Sequence, residues 1–245
     1  MDRIKSWSYS ALDKYETCPY MMKLNRVDKV PELDRGPPPP GMKEWPNDRG
    51  NRVHDAAEMF VRGERTDLIK ELKHFEPEFH KMKELYESEM VALEDMWCYD
   101  ENWCAVDKED FKNIWLRVKL DAGVFINEAH AALIDYKTGK KFGNEIKHAK
   151  QGQLYAISMF MRYPELLVVE VEFWYLDHNL MYRQKYTRKQ CLIFWRTWNA
   201  KGKRMTSDTE FDANPNAHNC RFCPYGPEES SNKWVKKNGK CKFGV

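Results

Sequence analysis

Ala132-Leu133-Ile134-Asp135-Tyr136-Lys137-Thr138-Gly139 is an apolar run that stops abruptly at an acid, an aromatic and a lysine. It reads as the end of a buried β-strand. Side chains alternate between the two faces of a strand, so Asp135 and Lys137 share one face while Tyr136 takes the other. Upstream, residues 116–126 form a second β-rich run with its own acid, Asp121, which pairing of the two strands would bring beside Asp135. Two carboxylates and a lysine at adjoining strands suit a hard divalent cation and a phosphodiester. An isolated Asp-x-Lys is more often a surface salt bridge, but Asp121 and the apolar run feeding Asp135 place these acids at the edge of a core.

Working outward, residues 50–61 carry Val53, Ala56, Ala57, Phe60 and Val61 at core spacing and read as a helix. It holds Gly50-x-x-x-His54, with Glu58 one turn further on. Residues four apart share a helix face, so His54 and Glu58 are both candidates to reach a metal held by the strands, against the alternative of a capping or core histidine. On the far side, residues 146–162 read as a helix stopped by Pro164, with Gln151 and Tyr155 again four apart. This pair either contacts a phosphate and braces Lys137, or divides into an exposed Gln151 and a core Tyr155.

The rest of the chain gives an order of elements. Residues 8–15 read as a helix start with Ser10 as N-cap. Residues 31–46, with Pro37-Pro38-Pro39-Pro40, form an extended connector, and 77–95 form an amphipathic charged helix. Residues 96–106, 114–126 and 131–136 suggest a three-strand antiparallel meander. Residues 166–176 and 180–187 form a strand pair turning at Asp177-His178-Asn179, and 189–204 form an aromatic helix. The expected architecture is α/β or α+β, a mixed central sheet flanked by helices. It is expected as one domain over 1–245: a first helix within 1–30, a Pro-rich loop 31–49, a core 50–205 and a cysteine-bearing tail 206–245.

Composition bounds the function. Thirteen per cent aromatics, with nine Trp, supply material for packing and for stacking on bases. A net charge of +2 means nucleic-acid binding has to come from local basic patches. No apolar run approaches the ~20 residues that cross a bilayer, so no membrane partner is expected, and the location is expected to be intracellular: cytoplasm or nucleoid, or host cytoplasm for a viral protein.

Seven unevenly spaced cysteines without a secretion signal point to metal ligands rather than disulfides. Cys220-Arg221-Phe222-Cys223, with Cys18 and Cys241, supplies four thiolates suited to zinc or to an iron-sulfur cluster, which spacing does not distinguish. Including Cys18 would tie the N-terminal helix to the tail. Cys98, Cys104 and Cys191 read as buried thiols.

Taken in order, Ser8 to Leu12 through Cys18-Pro19, Gly50 to His54, Asp121, Asp135 to Gly139, Gln151 to Tyr155 and Cys220 to Tyr225 resemble the RecB-like branch of the PD-(D/E)XK nucleases. That branch includes the nuclease domains of AddB recombination proteins and the CRISPR-associated adaptation exonucleases. The resemblance implies a restriction-endonuclease-like core and a Mg²⁺- or Mn²⁺-dependent exonuclease acting on single-stranded DNA or DNA ends, in recombination, repair or processing. It implies that His54, Asp121, Asp135 and the backbone carbonyl of Tyr136 hold the metal, with Glu58 a further candidate. Lys137 would be catalytic, and Gln151 and Tyr155 would complete the site. It also implies a structural [4Fe-4S] cluster on Cys18, Cys220, Cys223 and Cys241. Two features depart from the pattern: the polar insertion 226–240 before Cys241, and the 31–46 loop, which could gate a channel. A different class of function is a non-catalytic DNA-binding subunit of a recombination complex with a zinc-stabilised tail and a protein partner. The intact acids and lysine argue against it.

Overall fold

The structure is a computed structural model describing residues 3–93, 95–139 and 142–245. Two compact units emerge, one formed by residues 46–198 and the other by 1–45 together with 199–245.

The 46–198 unit is built on a five-stranded mixed sheet ordered β1 (Val91–Leu93), β5 (Ala122–Asn127), β6 (His130–Lys137), β7 (Val168–Tyr175), β8 (Leu180–Thr187). Strands β6 and β7 run parallel, and every other neighbour is antiparallel. A parallel pair needs a long crossover, which helix α5 (Glu145–Arg162) supplies. Helices α3 (Pro46–Val61) and α4 (Glu76–Glu87) cover one face through Val53, Ala57, Phe60, Phe79 and Met82 against Ile134, Tyr136 and Trp174. Each such large side chain contributes about 1.5–3 kcal/mol by leaving water. Helix α5 covers the opposite face, where Gly152 lies so close that an added Cβ would sit 3.3 Å from Phe173 and 3.4 Å from Val171. A side chain there would require Phe173 or Val171 to shift by a few tenths of an ångström.

The strands of the expected meander are divided between two sheets. Residues 114–126 break into β4 (Leu116–Lys119) and β5, and β4 joins β2 (Met96–Tyr99) and β3 (Ala105–Val106) in a separate three-stranded sheet ordered β3-β2-β4. Asp121 is therefore not a strand residue; it occupies the break. The charged helix ends at Glu87 rather than at residue 95, since β1 follows, and residue 94 lies outside the described residues. Helix α3 begins four residues before Gly50, at Pro46. The β7–β8 turn falls where expected, with Asn179 in the left-handed region at φ 48°. Cys98 and Cys191 are buried as expected, whereas Cys104 is exposed at a turn beside β3.

The other unit gathers helices α1 (Tyr9–Thr17), α2 (Pro19–Met22) and α7 (Ala217–Cys220) with irregular tail segments. Helix α6 (Arg188–Ser207) contributes residues to both units. Ser8, not Ser10, is the N-cap of α1; its hydroxyl accepts from the Ala11 N–H at 3.3 Å. At the other end the Thr17 carbonyl, an orphan acceptor of α1, takes amide hydrogens from Asn214 and Asn219, each at 3.1 Å. Tyr15 donates to Asp208 at 2.7 Å. The tail is thus bonded to the first helix. Gly244 closes this unit, because an added Cβ would stand 2.8 Å from Pro227 and 3.2 Å from the Gly226 Cα. Among the described residues no helix is long and apolar enough to cross a membrane.

Candidate active site

Strand β6 runs on past its neighbour β5: their register reaches Ala122 opposite Ile134, and residues 135–137 continue beyond it. The Tyr136 N–H donates to the carboxylate of Asp121, at the break before β5, at 2.7 Å. Its other oxygen lies 2.9 Å from Nδ1 of His54 on α3, and His54 Nε2 lies 3.1 Å from the Tyr136 carbonyl. A break in a strand and an overhang in another thereby assemble three of the expected residues.

The strand alternation holds. Tyr136 faces the α3–α4 side, with its ring against Phe79 and Trp174 and its hydroxyl toward Met82 Sδ at 3.8 Å. Asp135 and Lys137 face α5, and Lys137 Nζ lies 2.5 Å from Asp135 Oδ2 as an ion pair. Asp135 Oδ2 is buried, with the Lys137 ammonium as its ion-pair partner. Asp135 Oδ1 accepts from Tyr155 at 2.9 Å and more weakly from Gln151 at 3.3 Å; Gln151 Oε1 accepts from Lys137 at 3.0 Å, and its amide donates to the Tyr155 hydroxyl at 2.6 Å. Gln151 and Tyr155 thus both point into the site. Glu58 does not join them: it pairs at 2.7 Å with Arg62, the residue just past the end of α3.

Among the described residues, no three His, Cys, Asp or Glu side chains are gathered closely enough to hold one metal ion as they stand. The donor set nevertheless fits a hard divalent cation in kind. Among the described residues, the buried carboxylates Asp121 and Asp135 are set against one ammonium, that of Lys137, an excess of negative charge when the imidazole is neutral. Both nitrogens of His54 face acceptors, although a neutral imidazole has only one N–H to donate. A cation among Asp121, Asp135, the Tyr136 carbonyl and His54 would resolve both mismatches. Burial raises the Asp135 carboxyl above the ordinary carboxylate range, with Lys137 opposing and Asp121 adding to the rise. The Tyr155 phenol is likewise raised well above its usual value, first by burial and then by Asp135, so it remains a hydrogen-bond donor.

Four further residues, Phe173, Tyr175, His148 and Arg49, border the site. Phe173 and Tyr175 on β7 stand in register with Asp135 and Lys137, and the Phe173 ring centre is 5.5 Å from Lys137 Nζ. His148, one turn before Gln151 on α5, stacks on Phe173 and lies 2.7 Å from the Tyr175 hydroxyl. The i, i+3 spacing of His148 and Gln151 was a signal available in the sequence. The β7 residues gave none, because parallel register is not local. Arg49 joins the loop after β6 to the β7–β8 turn, donating to the Thr138 carbonyl at 2.8 Å and clasping Asp177 at 2.6 and 2.9 Å.

Burial, reinforced by Lys137, holds the His148 imidazole down to about 4, so the ring is neutral near pH 7. An unfolded histidine takes its proton near 6.5, so between those values the unfolded chain binds more protons and stability falls as pH falls. His148→Gln is expected to reduce that acid loss by about 1 kcal/mol, a figure discounted for the half-buried ring, in urea unfolding compared at about pH 7 and about pH 5. An identical loss in the variant would remove His148 as its source.

In the other unit all seven cysteines of the chain being free thiols matters most for four of them. Cys18, Cys220, Cys223 and Cys241 line one small cavity with Met21, Asn214 and Phe243. The Cys223 thiol is pushed up to about 11, first by burial and then by the proximity of Cys241, Cys18 and Cys220. Cys241 is raised in the same way, by burial and then by Cys18 and Cys220. A positively charged centre would relieve both effects.

The sequence matches the profile of the PD-(D/E)XK nuclease superfamily over residues 6–227. No curated protein matches. Among solved structures, the crystal structure of SSO0001 aligns with 92% of this chain and 85% of its own, at 10% identity and a TM-score of 0.36.

Proposed function

The chain belongs to the PD-(D/E)XK nuclease superfamily, and from that premise we propose that it is a deoxyribonuclease of the RecB-like branch, acting as an exonuclease on single strands or DNA ends. Members of the superfamily are typically nucleases that use Mg²⁺ or Mn²⁺. The observation that carries the reading is the convergence of Asp121, Asp135, Lys137 and Gln151 at the overhanging end of β6.

Asp121, Asp135, the Tyr136 carbonyl and His54 would hold the metal, which supplies Lewis-acid polarisation of the phosphoryl oxygen and lowers the pKa of a bound water. Asp135 has to be unprotonated for this, a state that its burial opposes and Lys137 favours. Lys137, fixed by Asp135 and Gln151, stands ready to donate to the attacking water or to the phosphate as charge develops. Tyr155 and Gln151 hold Asp135 Oδ1, which leaves Oδ2 toward the ammonium. Tyr136 anchors the strand end in the core, so its carbonyl stays fixed.

For the cysteine cavity the reading is a structural [4Fe-4S] centre on Cys18, Cys220, Cys223 and Cys241. Their lining of a common cavity supports it.

The test is an end-labelled substrate series of single-stranded DNA, duplex DNA and RNA, with chelator and then with Mg²⁺ or Mn²⁺ restored. Processive loss of label from single-stranded DNA only with metal is expected. A protein inert toward every substrate with both metals would overturn the assignment.

A further inference from the structure

We propose that residues 221–245 carry a second nucleic-acid contact, a stacking and phosphate-binding surface for single-stranded DNA centred on Phe222 and Trp234. The identity of its ligand rests on the deoxyribonuclease reading above; the surface itself lies within the 1–45 and 199–245 unit.

Charge is concentrated here in a chain whose net charge is only +2. Arg221, Lys233, Lys236, Lys240 and Lys242 are exposed against two acids, Glu228 and Glu229. Three large rings accompany them at the surface: Phe243, 41% exposed, packs edge-on against Tyr20, and the other two, Phe222 and Trp234, are 55% and 38% exposed, although the same segment buries Tyr225 completely. Leaving such rings in water forgoes the stabilisation burial would give. Each ring has a cation beside it, Arg221 at 5.2 Å from Phe222 and Lys233 at 5.2 Å from Trp234.

The two pairs are fastened to one another. Asn232 and Val235 close a turn by reciprocal backbone bonds of 3.0 and 3.3 Å, and the Asn232 side-chain oxygen accepts from the Trp234 N–H at 2.9 Å. The Asn232 amide then donates to the Arg221 carbonyl at 2.9 Å, which sets the Lys233-Trp234 tip against Arg221-Phe222. Phe222 and Val235 also line a common cavity of about 320 Å³. Alternating ring and cation matches the repeating base and phosphate of a single strand, where every base offers a π face and every link a negative charge. An acidic protein partner would use the cations but has no need of the rings.

The experiment is fluorescence anisotropy of labelled oligo(dT) with the full chain in chelator, so that nothing is cleaved. Phe222→Ala and Trp234→Ala are each expected to weaken binding about tenfold, and Trp234→Phe to recover most of it. Lys233→Gln with Lys236→Gln should lower the slope of log affinity against log salt by about 1.4, the share of two phosphate contacts on a single strand. Binding within twofold of wild type in both aromatic variants, displacement by poly-glutamate notwithstanding, would overturn the proposal in favour of an acidic protein, and so would a wild-type chain that does not bind. A chain that binds with these sensitivities yet cleaves nothing with metal leaves this inference standing and removes the hydrolytic one; a chain that cleaves while its variants bind normally does the reverse.

Discussion

Lys137→Ala is expected to slow cleavage of single-stranded DNA about 10³-fold while leaving DNA affinity within about threefold of wild type. Two losses combine. The ammonium that stands 2.5 Å from Asp135 and 3.0 Å from Gln151 is the group placed to meet developing charge, and alanine removes it. Lys137 is also the main influence pulling the buried Asp135 carboxyl down, so its removal raises that carboxyl further and disfavours the ionised form expected to ligate the metal. Activity falls as pH falls through the Asp135 value, so the acid limb of the rate profile should move to higher pH in the variant. His148 cannot account for that limb, since it stays neutral down to about 4. Lys137→Arg should not rescue, because a planar fork does not fit a point-charge position between a carboxylate and an amide. Single-turnover rates across a pH series measure both effects, and Lys137→Ala activity within tenfold of wild type would remove the lysine from the chemistry.

Cys220→Ser and Cys223→Ser are each expected to abolish the brown colour of anaerobically purified protein and to lower Tm by about 10 °C, equivalent to about 3 kcal/mol for a chain of this size. Both cysteines are buried, and the mutual effect of the four thiols raises the cost of gathering them without a cation. A bound centre contributes to stability in proportion to its affinity for the folded state alone. Cys98→Ser and Cys191→Ser serve as comparisons, because those thiols are buried away from this cavity and should leave the colour intact. A colourless wild type with stoichiometric zinc would replace the iron-sulfur reading with zinc.

Much of the site was legible because it follows local periodicities. Alternation along β6 set Asp135 and Lys137 against Tyr136, and four-residue spacing on α5 gave Gln151 and Tyr155 a shared direction. What escaped depends on partners distant in sequence. Residues 116–126 look like one strand because their composition is continuous, yet the two halves pair with β2 and β6 in different sheets, and no local pattern encodes that divergence. Asp121 was expected on a strand but sits at the break between β4 and β5, where its carboxylate accepts from the Tyr136 N–H. Glu58 shares the His54 spacing, but an arginine four residues on offers a nearer partner. Phe173, Tyr175 and Arg49 border the site only through parallel register and turn geometry. Ser8 and Ser10 are both credible caps, and only backbone geometry separates them.

The cysteine cavity also imposes an order on biosynthesis. Cys18 leaves the ribosome early, but its three companions follow only after the whole of residues 46–198 has been made. At about 5–20 residues per second, Cys18 waits roughly ten seconds or more for Cys241. The sheet-bearing unit is continuous in sequence and can form meanwhile. A centre held by all four cysteines could be loaded only once Cys241 has emerged, and a nascent chain halted between residue 198 and Cys241 would carry the sheet-bearing unit with an incomplete set of thiols.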